Sequence, residues 1–211
     1  MICTSRVCLA IRPEQLCRLE RYLVKIYLSG PEVFLKDAKQ VLARKQDVCR
    51  ELGWIGLSPL DSELPVDVKN PRDAALAIYA GNIAMMEEAD AIIANITPFR
   101  GPHMDPGTAF EIGFMVAKGK PVMVYTQADR SLIERVSGWS GGLCDENGVL
   151  RDLNGHQVEN FELFENLMIE PAATRAGTEI ETIVVPPVFS QVFVCDEGFI
   201  AAARKLHSLL S

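Results

Sequence analysis

The sequence predicts an α/β fold, a parallel sheet with helices on both faces, and three observations carry that prediction. Strand-like and helix-like stretches alternate four times between residues 24 and 125, as they do in successive strand–helix–strand units. Residues 90–96 form a nearly continuous apolar run, the mark of a central strand buried on both faces. The helical stretches also carry start and stop signals, Asn70-Pro71 and Asp105-Pro106 at beginnings and Gly53 and Gly119 at ends.

In chain order, residues 24–29 are the first strand, and Gly30-Pro31 breaks it. Apolar residues at helical spacing (Leu35, Ala38, Val41, Leu42, Val48, Leu52) predict a helix over about 35–52. Residues 54–57 are a short second strand. After a polar loop, the helix over about 71–88 is expected to turn Ala74, Ala75, Ile78, Tyr79, Ile83 and Met86 inward. The third strand, 90–96, leads through residues 97–102 to the helix that Asp105 caps, and residues 121–125 are the fourth strand. Beyond 126 the pattern weakens: glycines 138, 141, 142 and 148 point to loops, with helical pieces near Leu132 and Phe161. Residues 182–186 are expected to be a fifth strand, and Asp196 to cap a last helix over 199–210. The expected architecture is a flavodoxin-like (Rossmann-like) parallel sheet of about five strands. Residues 24–211 form one α/β domain in this reading, with 172–211 a strand–helix addition. Residues 1–23, interrupted by Arg6, Arg12, Arg18 and Arg21, are read as an N-terminal extension of unknown role.

Bulk properties narrow the function. The chain has 211 residues, 48% apolar and 23% charged, with 28 acidic against 21 basic side chains and no basic block, which argues against nucleic acid binding. No apolar run reaches membrane-spanning length. Six scattered cysteines without a paired spacing suggest reduced thiols and a cytoplasmic location. Three distant histidines give no zinc pattern, so no metal is expected. A G-x-G-x-x-G after the first strand, a Walker A motif and a G-x-S-x-G are all missing, so no cofactor is expected either.

The helix that begins at Asp105 stands out. Glu111 is flanked by Ala109, Phe110, Ile112, Phe114, Met115, Val116 and Ala117. Such a helix is expected to be buried all round, placing one carboxylate where ionisation is costly. Ligands of open α/β sheets bind at the carboxyl ends of the strands, which gathers Tyr27, Gly30, Pro31, Asp105 and Glu111 at one crevice. A carboxylate there suits attack on an electron-poor sugar carbon. Plainer roles exist for each: Asp105 as a cap alone, Tyr27 as a buried strand aromatic, Gly30-Pro31 as a turn.

Three blocks, residues 27–34 (Tyr-Leu-Ser-Gly-Pro-Glu-Val-Phe), Asn82 through Asp90-Ala91-Ile92, and Asp105-Pro106-Gly107-Thr108-Ala109-Phe110-Glu111-Ile112-Gly113, together with Asn166-Leu167-Met168, resemble the nucleoside 2-deoxyribosyltransferases. The resemblance spans residues 24–168. It implies that Glu111 attacks C1′ of a 2′-deoxynucleoside, forming a covalent deoxyribosyl-enzyme that a free nucleobase then opens with net retention. Tyr27 would orient that glutamate. Asp105 and Asn166 would bind the sugar's 5′ end, Asn166 coming from a neighbouring subunit, which makes the protein a homo-oligomer with shared sites. Gly30, Pro31 and Asn82 would complete the substrate-binding set. Asn82 stands where several relatives carry an aspartate that protonates the leaving base, and an amide is no general acid. It either hydrogen-bonds the base only, or Asp61 or Glu87 supplies the proton. Two other functions compete: hydrolysis of nucleoside 5′-monophosphates, which a carboxylate at position 105 disfavours by repelling phosphate, and a non-catalytic nucleoside-binding module.

Overall fold

The computed structural model describes residues 23–61, 70–175 and 196–211. Strands β1 (Lys25–Ser29), β2 (Ile55–Leu57), β3 (Ala91–Asn95) and β4 (Val122–Tyr125) form one sheet in the order β2-β1-β3-β4. Every neighbouring pair is parallel. This is the flavodoxin-like order, and its direction reverses between β1 and β3. The proposed fifth strand at 182–186 and the extension at 1–22 lie outside the described residues.

Strand periodicity sorts the core into two layers. Tyr27, Ile92, Ala94, Val122 and Val124 pack with Met86 of α2 (Pro71–Glu88), Ile112 and Met115 of α3 (Pro106–Ala117) and Ala173 of α5 (Glu170–Arg175). Ile26, Leu28, Ile93, Met123 and Tyr125 pack on the other face with Cys49 of α1 (Ala38–Glu51) and Phe199, Ala202 and Leu206 of α6 (Glu197–Leu210).

Several boundaries differ from expectation for physical reasons. The helix expected over 35–52 is a 3₁₀ turn, Pro31–Phe34, followed by α1 from Ala38, with extended backbone at Leu35 between them. Asp196 does not cap α6 with its side chain; that carboxylate accepts from Arg44 Nε at 2.8 Å. The loops read after residue 141 contain a hairpin, β5 (Leu143–Glu146) with β6 (Val149–Asp152), following α4 (Leu132–Ser140). Its turn is Asn147-Gly148, both at positive φ (58° and 84°), a two-residue sequence that favours tight hairpins. Around Phe161 there is no helix; the next one is α5.

The carboxyl ends of the strands are tied together by a buried charge. Glu32, in the turn after β1, accepts hydrogen bonds from Lys45 Nζ, from Asn95 Nδ2 at 2.7 Å and from the Tyr125 hydroxyl at 3.0 Å. Lys45 of α1 also donates to Tyr125 at 2.7 Å. The turn folds so closely over this group that a Cβ on Gly30 would lie 2.1 Å from Glu32 Oε2 and 2.8 Å from Asn95 Cβ. A side chain at position 30 has no room.

Removing one member of a buried ion pair leaves the other uncompensated. Lys45→Met should therefore cost about 3–5 kcal/mol in urea unfolding. Adding Glu32→Gln should restore a large part of it. A single variant as stable as the parent would show that the pair holds nothing.

Candidate active site

Period two along β1 turns Tyr27 and Ser29 to the same side of the sheet, toward α3. The Tyr27 hydroxyl donates to Glu111 Oε1 at 2.7 Å, and the Ser29 hydroxyl donates to Oε2. Both carboxylate oxygens are thus held by neutral hydroxyls of one strand. Ser29 was not singled out by sequence, although its i, i+2 relation to Tyr27 was a readable signal.

Asp105 ends the loop before α3 and is its N-cap, accepting from the Thr108 amide at 3.0 Å. Pro106 opens the helix, where a missing N–H costs nothing. Gly107 has a steric reason: a Cβ there would come within 2.9 Å of Asp105 Oδ2. The cap brings Asp105, itself buried, near enough to Glu111 for like-charge repulsion.

The electrostatics follow. Burial pushes the Glu111 pKa above the ordinary carboxylate value; the Ser29 and Tyr27 hydrogen bonds pull it back, and Asp105 adds a further upward push. Burial first, then the Glu111 charge and hydrogen bond, raise the Tyr27 phenol, so it remains a donor. Glu111 forms part of a cavity of about 460 Å³ lined also by Asn82, Ile83, Met86, Ala75, Ile78, Tyr79, Gly107 and Phe110, a size suited to a small organic ligand. No lysine or arginine is among these described lining residues. The buried Oδ1 of Asn82 has no donor among the described residues.

The helix is not buried all round, contrary to the sequence reading. Phe110 is 51% exposed, and beside it on α2 Tyr79 is 56% and Leu76 66% exposed. Ala75, Ile78 and Tyr79 therefore do not turn into the core; they line and rim the cavity. An apolar run cannot tell a core face from a bare surface face, because burial depends on what lies opposite.

Of the predicted residues, Asn82 and Glu111 line the cavity; Tyr27 is joined to Glu111 by its hydroxyl and Asp105 caps the same helix, but Tyr27, Asp105, Gly30 and Pro31 are buried and are not among the lining residues. Asn166 is not among the lining residues; its amide donates to Glu159 at 3.2 Å and accepts from Met168 N at 3.0 Å. Asp61 and Glu87, the other candidate proton donors, are engaged elsewhere. Asp61 accepts from Gln46 at 2.9 Å and the Ser58 amide at 2.8 Å, and Glu87 from Lys118 at 2.5 Å. Neither lines the cavity. Among the described residues no cluster of three His, Cys, Asp or Glu is placed to hold a metal, and no helix is long and apolar enough to cross a membrane.

Fold and cavity define a class: a flavodoxin-like α/β protein with a sheltered, hydroxyl-held carboxylate at a ligand-sized cavity beside the sheet's switch point. Residues 26–168 match the nucleoside 2-deoxyribosyltransferase family, and the chain belongs to that family. An uncharacterized protein of Schizosaccharomyces pombe is 31% identical over 164 residues, 72% of this chain and 78% of its own length. A provisionally named 2′-deoxynucleoside 5′-phosphate N-hydrolase 1 of Thermofilum pendens is 26% identical over 127 residues, 59% of this chain and 81% of its own. The solved 2-desoxiribosyltransferase of Leishmania mexicana is 26% identical with a TM-score of 0.58, covering 86% of this chain and 97% of that one. The chain is an enzyme of the deoxyribosyltransferase superfamily.

Because a hydroxyl donor favours the charged carboxylate, Ser29→Ala should move the Glu111 titration to higher pH. A ¹³C NMR titration of the side-chain carboxyl checks this, and an unmoved midpoint would remove Ser29 from the control of Glu111.

Proposed function

We propose that the enzyme exchanges the base of 2′-deoxyribonucleosides, with Glu111 as nucleophile. The observation that carries the reading is the Glu111 carboxylate at the cavity, held by Tyr27 and Ser29 with no cation against it among the described residues. Hydroxyl donors orient the carboxylate and leave its attacking electron pair available. One oxygen of Glu111 uses that pair to bond to C1′ as the C1′–N bond breaks, and the base leaves with the C1′–N bonding pair. Asn82 hydrogen-bonds the base, and water at the open cavity mouth supplies the proton that an amide cannot. A second base, attacking from the vacated side and giving up its N–H proton to the water that protonated the first, displaces Glu111 as a carboxylate and restores the original configuration. Gly30 and Pro31 shape the wall after Ser29, and Asp105 receives the sugar's 5′-hydroxyl.

The Thermofilum pendens relative supports a second reading, hydrolysis of a 2′-deoxynucleoside 5′-phosphate with water as acceptor. The charges around the cavity favour the free nucleoside. Asp105 is buried near Glu111, and no cationic side chain lines the described cavity to receive a phosphate.

In this reading the enzyme is a homo-oligomer. The exposed apolar side chains of Leu76, Tyr79 and Phe110 at the cavity mouth suit coverage by a second copy, which would bring its Asn166 to the sugar.

Deoxyinosine incubated with the protein and followed by chromatography tests the reaction. Deoxyadenosine should form only when adenine is added, and Glu111→Ala should abolish it while keeping the fold. Hypoxanthine release regardless of adenine would favour the hydrolase, and turnover surviving in Glu111→Ala would remove Glu111 from the nucleophile's role. Tyr79→Glu should lower the mass measured by light scattering and reduce exchange together; an unchanged mass would count against this face as the subunit contact.

A further inference from the structure

Outside the cavity, one buried polar cluster is left unexplained by the roles assigned so far. Glu165 is 1% exposed, and its carboxylate is fully engaged. Oε1 accepts from the Asn166 amide at 3.0 Å and pairs with His103 Nδ1 at 2.9 Å; Oε2 accepts from the Met104 amide at 2.8 Å. Arg135 of α4 lies 3.5 Å from the same carboxylate. Its Nε donates to the Pro102 carbonyl at 2.8 Å, its Nη2 to the Phe164 carbonyl and its Nη1 to the Arg130 carbonyl at 2.6 Å. Glu170 closes the cluster by accepting from the Glu165 amide at 2.6 Å.

Stability alone is a poor reason for such a pair, since a buried ion pair is often no better than apolar packing of the same volume. The partners point to another role. Apart from the pair itself and His103, the side-chain hydrogen bonds of Arg135 and Glu165 go to backbone groups, and most of these sit on two segments. One is 102–104, which leads directly into Asp105; the other is 164–166, which ends in Asn166. The guanidinium holds its donors in a rigid planar fork, so it fixes the spacing of the Pro102 and Phe164 carbonyls. Glu165 fixes the spacing of the Met104 and Asn166 amides in the same way. One clamp thus sews the loop that enters Asp105, assigned to this copy's own sugar site, to the loop that ends in Asn166, assigned to the neighbouring copy's.

We propose that Arg135 and Glu165 are positioning residues that set Asp105 for the sugar's 5′-hydroxyl in their own copy's site and Asn166 for the 5′-hydroxyl in the neighbouring copy's. Neither touches the cavity; both act through the backbone that carries the contacting groups. The inference rests on the base-exchange reading.

The test compares kcat/KM for deoxyinosine and for 2′,5′-dideoxyinosine, which lacks the 5′-hydroxyl, with adenine as acceptor. The parent enzyme should prefer deoxyinosine. In Glu165→Gln and Arg135→Lys that preference should fall about tenfold, the worth of one hydrogen bond to a charged group, with the loss concentrated on deoxyinosine. Arg135→Lys keeps the charge opposite Glu165 and carries the test if Glu165→Gln does not fold. A merely structural role would slow both substrates alike, and an unchanged ratio in a folded variant overturns the proposal. A parent enzyme that exchanges both nucleosides without preference overturns it too, while base exchange stands. A parent inert to both removes the base-exchange reading and this proposal with it.

Discussion

The constraint on which the site depends is the placement of an unpaired carboxylate in a poorly solvated cavity. Burial opposes the charge on Glu111, and among the described residues two hydroxyls rather than a cation answer it. That choice sets demands elsewhere. Tyr27 and Ser29 must share one face of β1, so the strand's phase is not free to slip. The start of α3 must be pinned by Asp105 and Pro106 so that Glu111, further along the helix, meets both hydroxyls.

The protein handles its other buried carboxylate near the strand ends in the opposite way. Glu32 is neutralised by Lys45 and supported by Asn95 and Tyr125. All three of these bonds converge on Oε1, and Oε2 is buried with no hydrogen-bond partner among the described residues. The ammonium compensates the charge of Glu32, whereas Glu111 meets hydroxyls among the described residues. The two glutamates lie near the same end of the sheet, and an ammonium against one and a ligand-sized cavity beside the other divide the structural role from the chemical one proposed for Glu111.

Two features around the cavity, among the described residues, fit the oligomer proposed above. Leu76, Tyr79 and Phe110 leave apolar surface in water beside the cavity, while Asn166 is held away from its lining by Glu159 and Met168. A covering copy would answer both features, which is why the oligomer and the sugar site belong to one proposal.

The order of strands and helices, the caps at Asn70 and Asp105, and the crevice holding Tyr27, Asp105 and Glu111 were legible from sequence, because they rest on local rules. Period two and period 3.6 set faces, a side-chain oxygen satisfies the first helical amides, and parallel sheets present their carboxyl ends to ligands. Asn147-Gly148 also carried a local hairpin signal, but it was masked by neighbouring glycines that read as loop. What only the tertiary structure decided depends on contacts distant in sequence. Ser29 matters because Glu111 lies 82 positions away; Glu165 matters because it meets the amide of Met104, 61 positions away; and Phe110 on the outer face of α3 is half exposed because no described residue covers it. Such pairings are set by how the layers stack, and no periodicity in one segment encodes the partner that another supplies.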